Sequence, residues 1–123
     1  MSKVQRGQLW ELDFEPQTHK DEPGKRSRPA LVMQTNILND AGHPTTIIII
    51  PCTTQVYRDA HGDGYPLRIA LGKMGEMKDE TDALIDQIRA ISNQRLLGSK
   101  PIAELAQAHM KRVEDALKIL TGL

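Results

Sequence analysis

The stretch "IIIIPCTTQ", residues 47–55, decides how the rest of this chain is interpreted. Four consecutive isoleucines are typical of a strand that is buried on both faces. Pro51 predicts the end of that strand, because proline lacks the N–H that a central strand needs. The hydrogen-bonding side chains of Thr53, Thr54 and Gln55 follow at once, and functional groups are often presented where strands end. The stretch therefore predicts a candidate site, although threonine is also a common strand and turn residue.

The composition fits one domain in a reducing compartment. The length of 123 residues predicts a single domain spanning 1–123. Because Cys52 is the only cysteine, no intrachain disulfide can form, which favours a cytoplasmic location. The N-terminus has no apolar stretch of signal-peptide length, and no apolar run approaches the ~20 residues of a membrane helix. We therefore expect a cytoplasmic protein with no membrane partner.

The charge balance limits the kind of nucleic-acid protein this chain can be. It has 16 basic and 16 acidic residues, so its formal net charge is zero. That balance argues against a protein that coats nucleic acid through a general positive excess, but not against a local basic site. The four aromatic residues leave little material for a base-stacking platform.

Alternating and apolar runs predict five strands and a C-terminal helix. "LWELDF" places Trp10, Leu12 and Phe14 on one face, as in a half-buried strand. Apolar residues at helical spacing predict a helix from about Ala106, and Gly122 ends it. The predicted strands are residues 9–14, 30–34, 45–50, 67–71 and 83–91, with a charged turn region at 72–82 and helical turns at 92–97.

These elements predict a mainly β fold. Short strands with long connections indicate a small, strongly bent antiparallel sheet or partial barrel. The C-terminal helix would cover or plug that sheet.

Residues 15–29 are predicted to form a long loop that carries the notable basic cluster of the chain. The segment is polar and contains three prolines, and loops of this length are usually functional or disordered. Arg28 stands where the loop meets the second strand, and Pro29 disfavours a helical conformation there. A guanidinium suits phosphate because its planar fork donates two parallel hydrogen bonds. The alternative is a solvated loop whose cations pair with Asp21 and Glu22.

The histidines and the single cysteine do not predict a metal site. No pair among His19, His43, His61 and His109 has the spacing of a metal-binding motif, and zinc would need more ligands than these offer. His19 and His61 are candidates for acid–base work because their loops flank the predicted site. Walker, GxGxxG and GxSxG elements are absent from the sequence, so we expect neither a metal nor a cofactor.

Polar residues interrupt the apolar segment "ALIDQIRAI". On one strand, Gln87 and Arg89 would share a face and Asp86 would lie opposite. Because a buried polar group must find partners, these residues could tie neighbouring strands together. The functional alternative places Gln87 or Arg89 on a binding face.

Several of these segments together resemble one family. "RGQLWELDFEP", "GKRSRPALV", "IPCTTQ", "GYPLRIAL" and "ALIDQIRAIS" occur in the order and at the spacing of the MazF/PemK type of toxin endoribonuclease. The resemblance implies an SH3-like or CcdB-like antiparallel β-barrel with helices that forms a homodimer and binds a cognate antitoxin. It also implies metal-independent, sequence-specific cleavage of single-stranded RNA, with mRNA as the expected target. The 2′-hydroxyl would attack the adjacent phosphate and leave a 2′,3′-cyclic phosphate and a 5′-hydroxyl.

The resemblance also implies roles for individual residues. The family's catalytic arginine, threonine and loop glutamate fall on Arg28, Thr53 and Glu22, and Gln55 is an expected RNA contact. Positions near the predicted site add further candidate RNA contacts: His19, Lys25, Arg26, Thr54, Gln87 and Arg89. Arginine is a poor proton acceptor because its pKa lies above ~12, so Glu22 or His19 is the easier general base. The proton-transfer roles stay open at this point.

Two other functions fit the same fold. A CcdB-like protein would poison DNA gyrase through protein contacts, and a non-catalytic relative would only bind its antitoxin. Neither function needs the combination of Arg28 with the threonine pair, which is the feature that favours the nuclease.

Overall fold

The computed structural model describes residues 4–14, 27–41, 46–55 and 67–123. Within these ranges the chain forms eight strands, two α-helices and two 3-10 turns. The strands are β1 (Gln8–Asp13), β2 (Ser27–Val32), β3 (Thr46–Thr53), β4 (Arg68–Gly72), β5 (Thr81–Leu84), β6 (Arg89–Ser92), β7 (Leu96–Leu97) and β8 (Ala103–Glu104). The helices are α1 (Asn36–Asn39) and α2 (Gln107–Thr121), and the 3-10 turns are Ile85–Gln87 and Asn93–Arg95.

The strands form one curled sheet in the order β4-β5-β3-β2-β1-β7. In addition, β6 pairs with β3 and β8 pairs with β1, and each pairing among the described residues is antiparallel. The predicted fold class, a mainly β, strongly bent antiparallel sheet with a C-terminal helix, is confirmed. The sheet has more strands than the five predicted, partly because the short strands β7 and β8 carry no alternation long enough to recognise.

Both faces of the sheet are buried around Ile49 and Ile50, which explains the consecutive apolar residues there, whereas Ile48 of the same run is 42% exposed. Successive side chains of a strand point to opposite faces. Leu9 and Ile50 accordingly belong to one buried cluster, while their neighbours Trp10 and Ile49 belong to the other. Helix α2 covers the first face, and its fully buried Val113 lies in the same cluster as Leu9. A strand between two apolar layers needs apolar residues at consecutive positions.

The C-terminal helix begins and ends as the sequence predicts. Ala106 is its N-cap residue, and Gly122 follows its last turn with φ of 75°. Glycine suits this left-handed position because it has no Cβ to clash with the preceding carbonyl. Ser92 is also a cap residue, since its hydroxyl accepts the N–H of Gln94 at the start of the second 3-10 turn.

The prediction that Pro51 ends the third strand is wrong. Strand β3 continues through Pro51 to Thr53. On one side of β3, strand β6 pairs with residues 46–49 and β5 pairs with Cys52 and Thr53. Pro51 therefore lies at the gap between these two partners, where a missing N–H is tolerated.

The prediction of one strand over residues 83–91 is also wrong. The segment forms the end of β5, the 3-10 turn Ile85–Gln87 and then β6. The turn moves the chain from the end of β3 that pairs with β5 to the end that pairs with β6. Gln87 and Arg89 consequently do not share the face of a single strand. Strand β5 already begins at Thr81, inside the predicted turn region.

Candidate functional site

A groove of about 530 Å³ opens where β2 begins and β3 ends. Residues 27–29 and 52–55 form two parts of its wall. The connection between β4 and β5 contributes residues 76–79, and Glu11 lines the groove from β1. The groove thus joins described parts of the two sequence segments that predicted a site, residues 27–29 and residues 52–55.

Arg28 and Thr53 come together in this groove. Strands β2 and β3 are antiparallel neighbours in which Ala30 pairs with Pro51. Continuing that register by two residues would set Arg28 opposite Thr53, and both are partly buried and line the groove. Because residues two apart on a strand share a face, the two side chains belong to the same side of the sheet.

The hydroxyl of Thr53 is held by the chain that follows it. Its Oγ1 accepts the backbone N–H of Gln55 at 3.1 Å. A threonine hydroxyl can accept and donate at once, so this contact leaves its own hydrogen available for a ligand in the groove. Thr54 and Gln55 are exposed and line the same groove, which makes both accessible to a ligand.

A buried charge pair lies directly behind this segment. Asp82 of β5 pairs with Thr53 of β3, and Asp82 is fully buried. The Nε of Arg68 lies 3.8 Å from Oδ2 of Asp82, and Nη2 of Arg68 donates to the carbonyl of Gln55 at 3.0 Å. The sequence did not single out either residue, because Asp82 falls in the predicted turn and Arg68 on the polar side of an alternating strand.

Cys52 lines the groove but is no nucleophile. The residue is fully buried, and its Sγ lies 3.6 Å from the carbonyl of Ile50, to which it donates. Burial raises the pKa of the Cys52 thiol to about 12. The thiol therefore stays protonated at neutral pH, whereas a reactive cysteine needs its thiolate.

The charged groups in the described part of the groove nearly balance. Arg28 and Lys78 face three carboxylates, those of Glu11, Glu76 and Asp79. Glu76 is engaged by Lys100 at 3.0 Å in an exposed ion pair. The described wall is therefore not the strongly basic surface expected for a groove that holds RNA.

Four candidate residues of the long loop lie outside the described residues. These are His19, Glu22, Lys25 and Arg26. Their predicted roles stay predictions.

Gln87 and Arg89 are not among the described residues that line the groove. Both are exposed, and the guanidinium carbon of Arg89 lies 5.8 Å from the ring centroid of Phe14. That distance is within the range of a cation–π contact. The described geometry favours the structural interpretation of Arg89, and its role in RNA binding stays a prediction.

The described ranges contain no group of three or more His, Cys, Asp or Glu side chains placed to hold a metal ion. Among the same residues, no helix is both long and apolar enough to cross a bilayer.

Solved structures with the same fold include nucleases and toxins. A crystal structure of MazF (Form-I) from Deinococcus radiodurans is 23% identical with a TM-score of 0.74, and 100% of each chain is covered. An endoribonuclease from a mycobacterial species is 20% identical with a TM-score of 0.71, covering 100% of this chain and 95% of that one. A mycobacterial endoribonuclease in complex with its cognate antitoxin is 20% identical with a TM-score of 0.70, covering 98% and 96%. At these identities the likeness establishes the fold.

The sequence itself matches a protein family. No curated protein matches it. Residues 5–121, however, match the family of PemK-like, MazF-like toxins of type II toxin–antitoxin systems. The match spans nearly the whole chain and includes the groove, and the protein therefore belongs to the PemK/MazF family of type II toxins.

Proposed function

We propose that this protein is a toxin that cleaves single-stranded RNA endonucleolytically, with mRNA as the expected target and without a metal ion. One observation carries the proposal. Arg28 and Thr53 line the same groove from neighbouring antiparallel strands. Both offer hydrogen-bond donors for a phosphate group.

In the proposed reaction the 2′-hydroxyl oxygen of one nucleotide attacks the adjacent phosphorus. The bond from phosphorus to the 5′-oxygen breaks, so the products are a 2′,3′-cyclic phosphate and a 5′-hydroxyl. Negative charge builds up on the non-bridging oxygens as the pentacoordinate state forms. Arg28 neutralises that charge, and the hydroxyl of Thr53 donates to one of the oxygens, which is preorganised electrostatic stabilisation.

The reaction also needs an acceptor for the 2′-hydroxyl proton and a donor for the 5′-oxygen. Glu22 and His19 are the acceptors that the family resemblance and the loop position suggest. Glu11 is a further candidate, because it lines the groove. A carboxylate within hydrogen-bond reach of the 2′-hydroxyl is a competent base.

The proposed partners follow from the same family. A cognate antitoxin would bind along the groove and block it, and two copies of the chain would form a homodimer in the cytoplasm. The mycobacterial structure in complex with its cognate antitoxin supports this proposal for the partner.

The test is cleavage of a long RNA of defined sequence by the purified protein in EDTA. We expect cuts at a small set of short sequences. The new 5′ ends should accept phosphate from a polynucleotide kinase without prior dephosphorylation, because they carry hydroxyls. RNA left intact by excess protein would overturn the proposal, and gyrase inhibition by the same preparation would then favour the CcdB-like alternative.

A further inference from the structure

The segment that carries Thr53 is attached to the sheet by a side chain from a different strand. Arg68 lies in β4, and the residue that it contacts, Gln55, follows the end of β3. Its Nη2 donates to the carbonyl of Gln55 at 3.0 Å, while the N–H of the same Gln55 is bound by the hydroxyl of Thr53 at 3.1 Å. Both polar groups of the Gln55 backbone unit are therefore engaged, one from each side.

The guanidinium of Arg68 is itself held by a buried carboxylate. Asp82 has no exposed surface, and the side chain of Arg68 is only 15% exposed. The Nε–Oδ2 distance of 3.8 Å is that of an ion pair rather than a direct hydrogen bond. Since Ala70 and Thr53 are the strand partners of Asp82 on its two sides, Asp82 lies in the sheet between β4 and the end of β3.

A buried ion pair of this kind is not needed for the stability of the fold alone. Taking both charges out of water is costly, and apolar replacements of similar volume are often as stable. Such a pair can instead contribute geometric specificity, because a guanidinium imposes a defined direction on each group that it binds. Here the group it directs is the backbone that fixes the Thr53 hydroxyl.

We propose that Arg68 is a positioning residue for RNA cleavage. Arg68, in its ion pair with Asp82, acts through Gln55 to set the direction of the Thr53 hydroxyl. This inference rests on the proposed nuclease function. Small displacements of a catalytic group cost about 10²-fold in rate, which sets the size of the effect to look for.

The test compares steady-state cleavage kinetics of variants that remove the pair. The variant R68M/D82N removes both charges, so that no unpaired carboxylate stays buried. We expect kcat to fall by roughly 10²-fold, with little change in KM because the groove wall that binds RNA is retained. The control is Arg6→Met, which breaks the 3.0 Å ion pair of Arg6 with Glu114 outside the groove lining and should leave both constants unchanged.

A double-mutant cycle separates positioning from general support of the fold. If the pair acts only through the hydroxyl, R68M/D82N should have no further effect in a Thr53→Ala background. Equal losses of kcat in both backgrounds would overturn the proposal, because a structural role does not depend on the hydroxyl. Cleavage by R68M/D82N at the wild-type rate would also overturn it.

Arg68→Lys provides the answer if R68M/D82N fails to fold. Lysine retains a cation beside Asp82 but cannot at the same time donate a hydrogen bond to the carbonyl of Gln55. We therefore expect a loss of kcat between that of the wild type and that of R68M/D82N. A wild-type rate for this variant would refute the positioning role. The two proposals fail differently: wild-type protein that leaves RNA intact overturns the nuclease function and this inference with it, whereas active wild type with insensitive Arg68 variants overturns only the inference.

Discussion

Arg28 and Thr53 lie on neighbouring antiparallel strands and line one groove, on the same side of the sheet. Their residue numbers are 25 apart, but the pairing of β2 with β3 brings both residues to the lining of the same groove. Had the two side chains pointed to opposite sides, no phosphate could contact both. The fold therefore supports the proposal that one phosphate contacts both side chains.

Removing either group should abolish most of the activity. We expect Arg28→Ala and Thr53→Ala each to lower the rate of RNA cleavage by about 10²–10³-fold, the usual cost of losing one donor to the developing negative charge. Circular dichroism should report a retained fold, and rates should be measured in EDTA. Arg6→Met is the matched arginine control outside the groove. A double variant of Arg28 and Thr53 that cuts as fast as the wild type would contradict the assignment.

The chemistry of Thr53 can be separated from its volume. Thr53→Ser keeps the hydroxyl that accepts the N–H of Gln55, whereas Thr53→Val keeps the shape and loses the hydroxyl. We expect the serine variant to cleave within about tenfold of the wild type and the valine variant to lose about 10²–10³-fold. The two variants should be compared on the same RNA. Equal rates for both would mean that Thr53 only fills space.

Local patterns predicted those parts of the fold that depend on local sequence. The alternation around Trp10, the apolar run at residues 47–50 and the glycine after α2 each report on their own neighbourhood, and each predicted element is present. The position of Pro51 depends instead on two other strands. A proline is excluded from a central strand only where its N–H would be used, and the gap between β5 and β6 is not visible in the local sequence.

The dependence on other strands also explains why the sequence did not indicate Arg68 and Asp82 as residues near the site. Arg68 and Asp82 each look like ordinary charged residues in their own segments. Their proposed role depends on the pairing of β5 with both β3 and β4, which joins residues 29 positions apart in the case of Thr53 and Asp82. Single-sequence patterns carry no information on such pairings. The resemblance found Arg28 and Thr53 because both lie in short motifs.

The thiol of Cys52 should be inert in the folded protein. Burial raises its pKa to about 12 from a usual value of 9.0, so the folded protein keeps this proton between pH 9 and 12 while the unfolded chain releases it. The unfolded state then binds fewer protons, and stability falls as pH rises through this window by up to about 1.4 kcal/mol per pH unit. The measurement is denaturant unfolding between pH 8 and pH 10, with Cys52→Ala as the reference that lacks this contribution. Identical slopes for the two proteins, or rapid reaction of the native thiol with a disulfide reagent at pH 8, would contradict the burial argument.

Gly75 should be required for the groove wall formed by residues 76–79. Its φ is +56°, and an added Cβ would lie 2.6 Å from the carbonyl oxygen of Ile102 and 2.8 Å from the Cβ of Ala103. Gly98 is the matched control, since its φ is +81° but an added Cβ would meet nothing within 4 Å. We expect Gly98→Ala to cost about 1 kcal/mol in unfolding free energy from backbone strain alone. Gly75→Ala should cost more, because the wall must also move away from the strand that it contacts.

The effect on KM and kcat distinguishes Gly75 from Arg28 and Thr53, the residues proposed to be catalytic. Displacing the wall disturbs the surface that is proposed to hold RNA and leaves Arg28 and Thr53 on their own strands. Gly75→Ala should therefore raise KM for RNA more than it lowers kcat, a pattern opposite to that of the Thr53 variants. Equal losses of stability in the Gly75 and Gly98 variants would mean that the contact with Ile102 imposes no constraint. An unchanged KM in a folded Gly75 variant would mean that this wall does not touch the substrate.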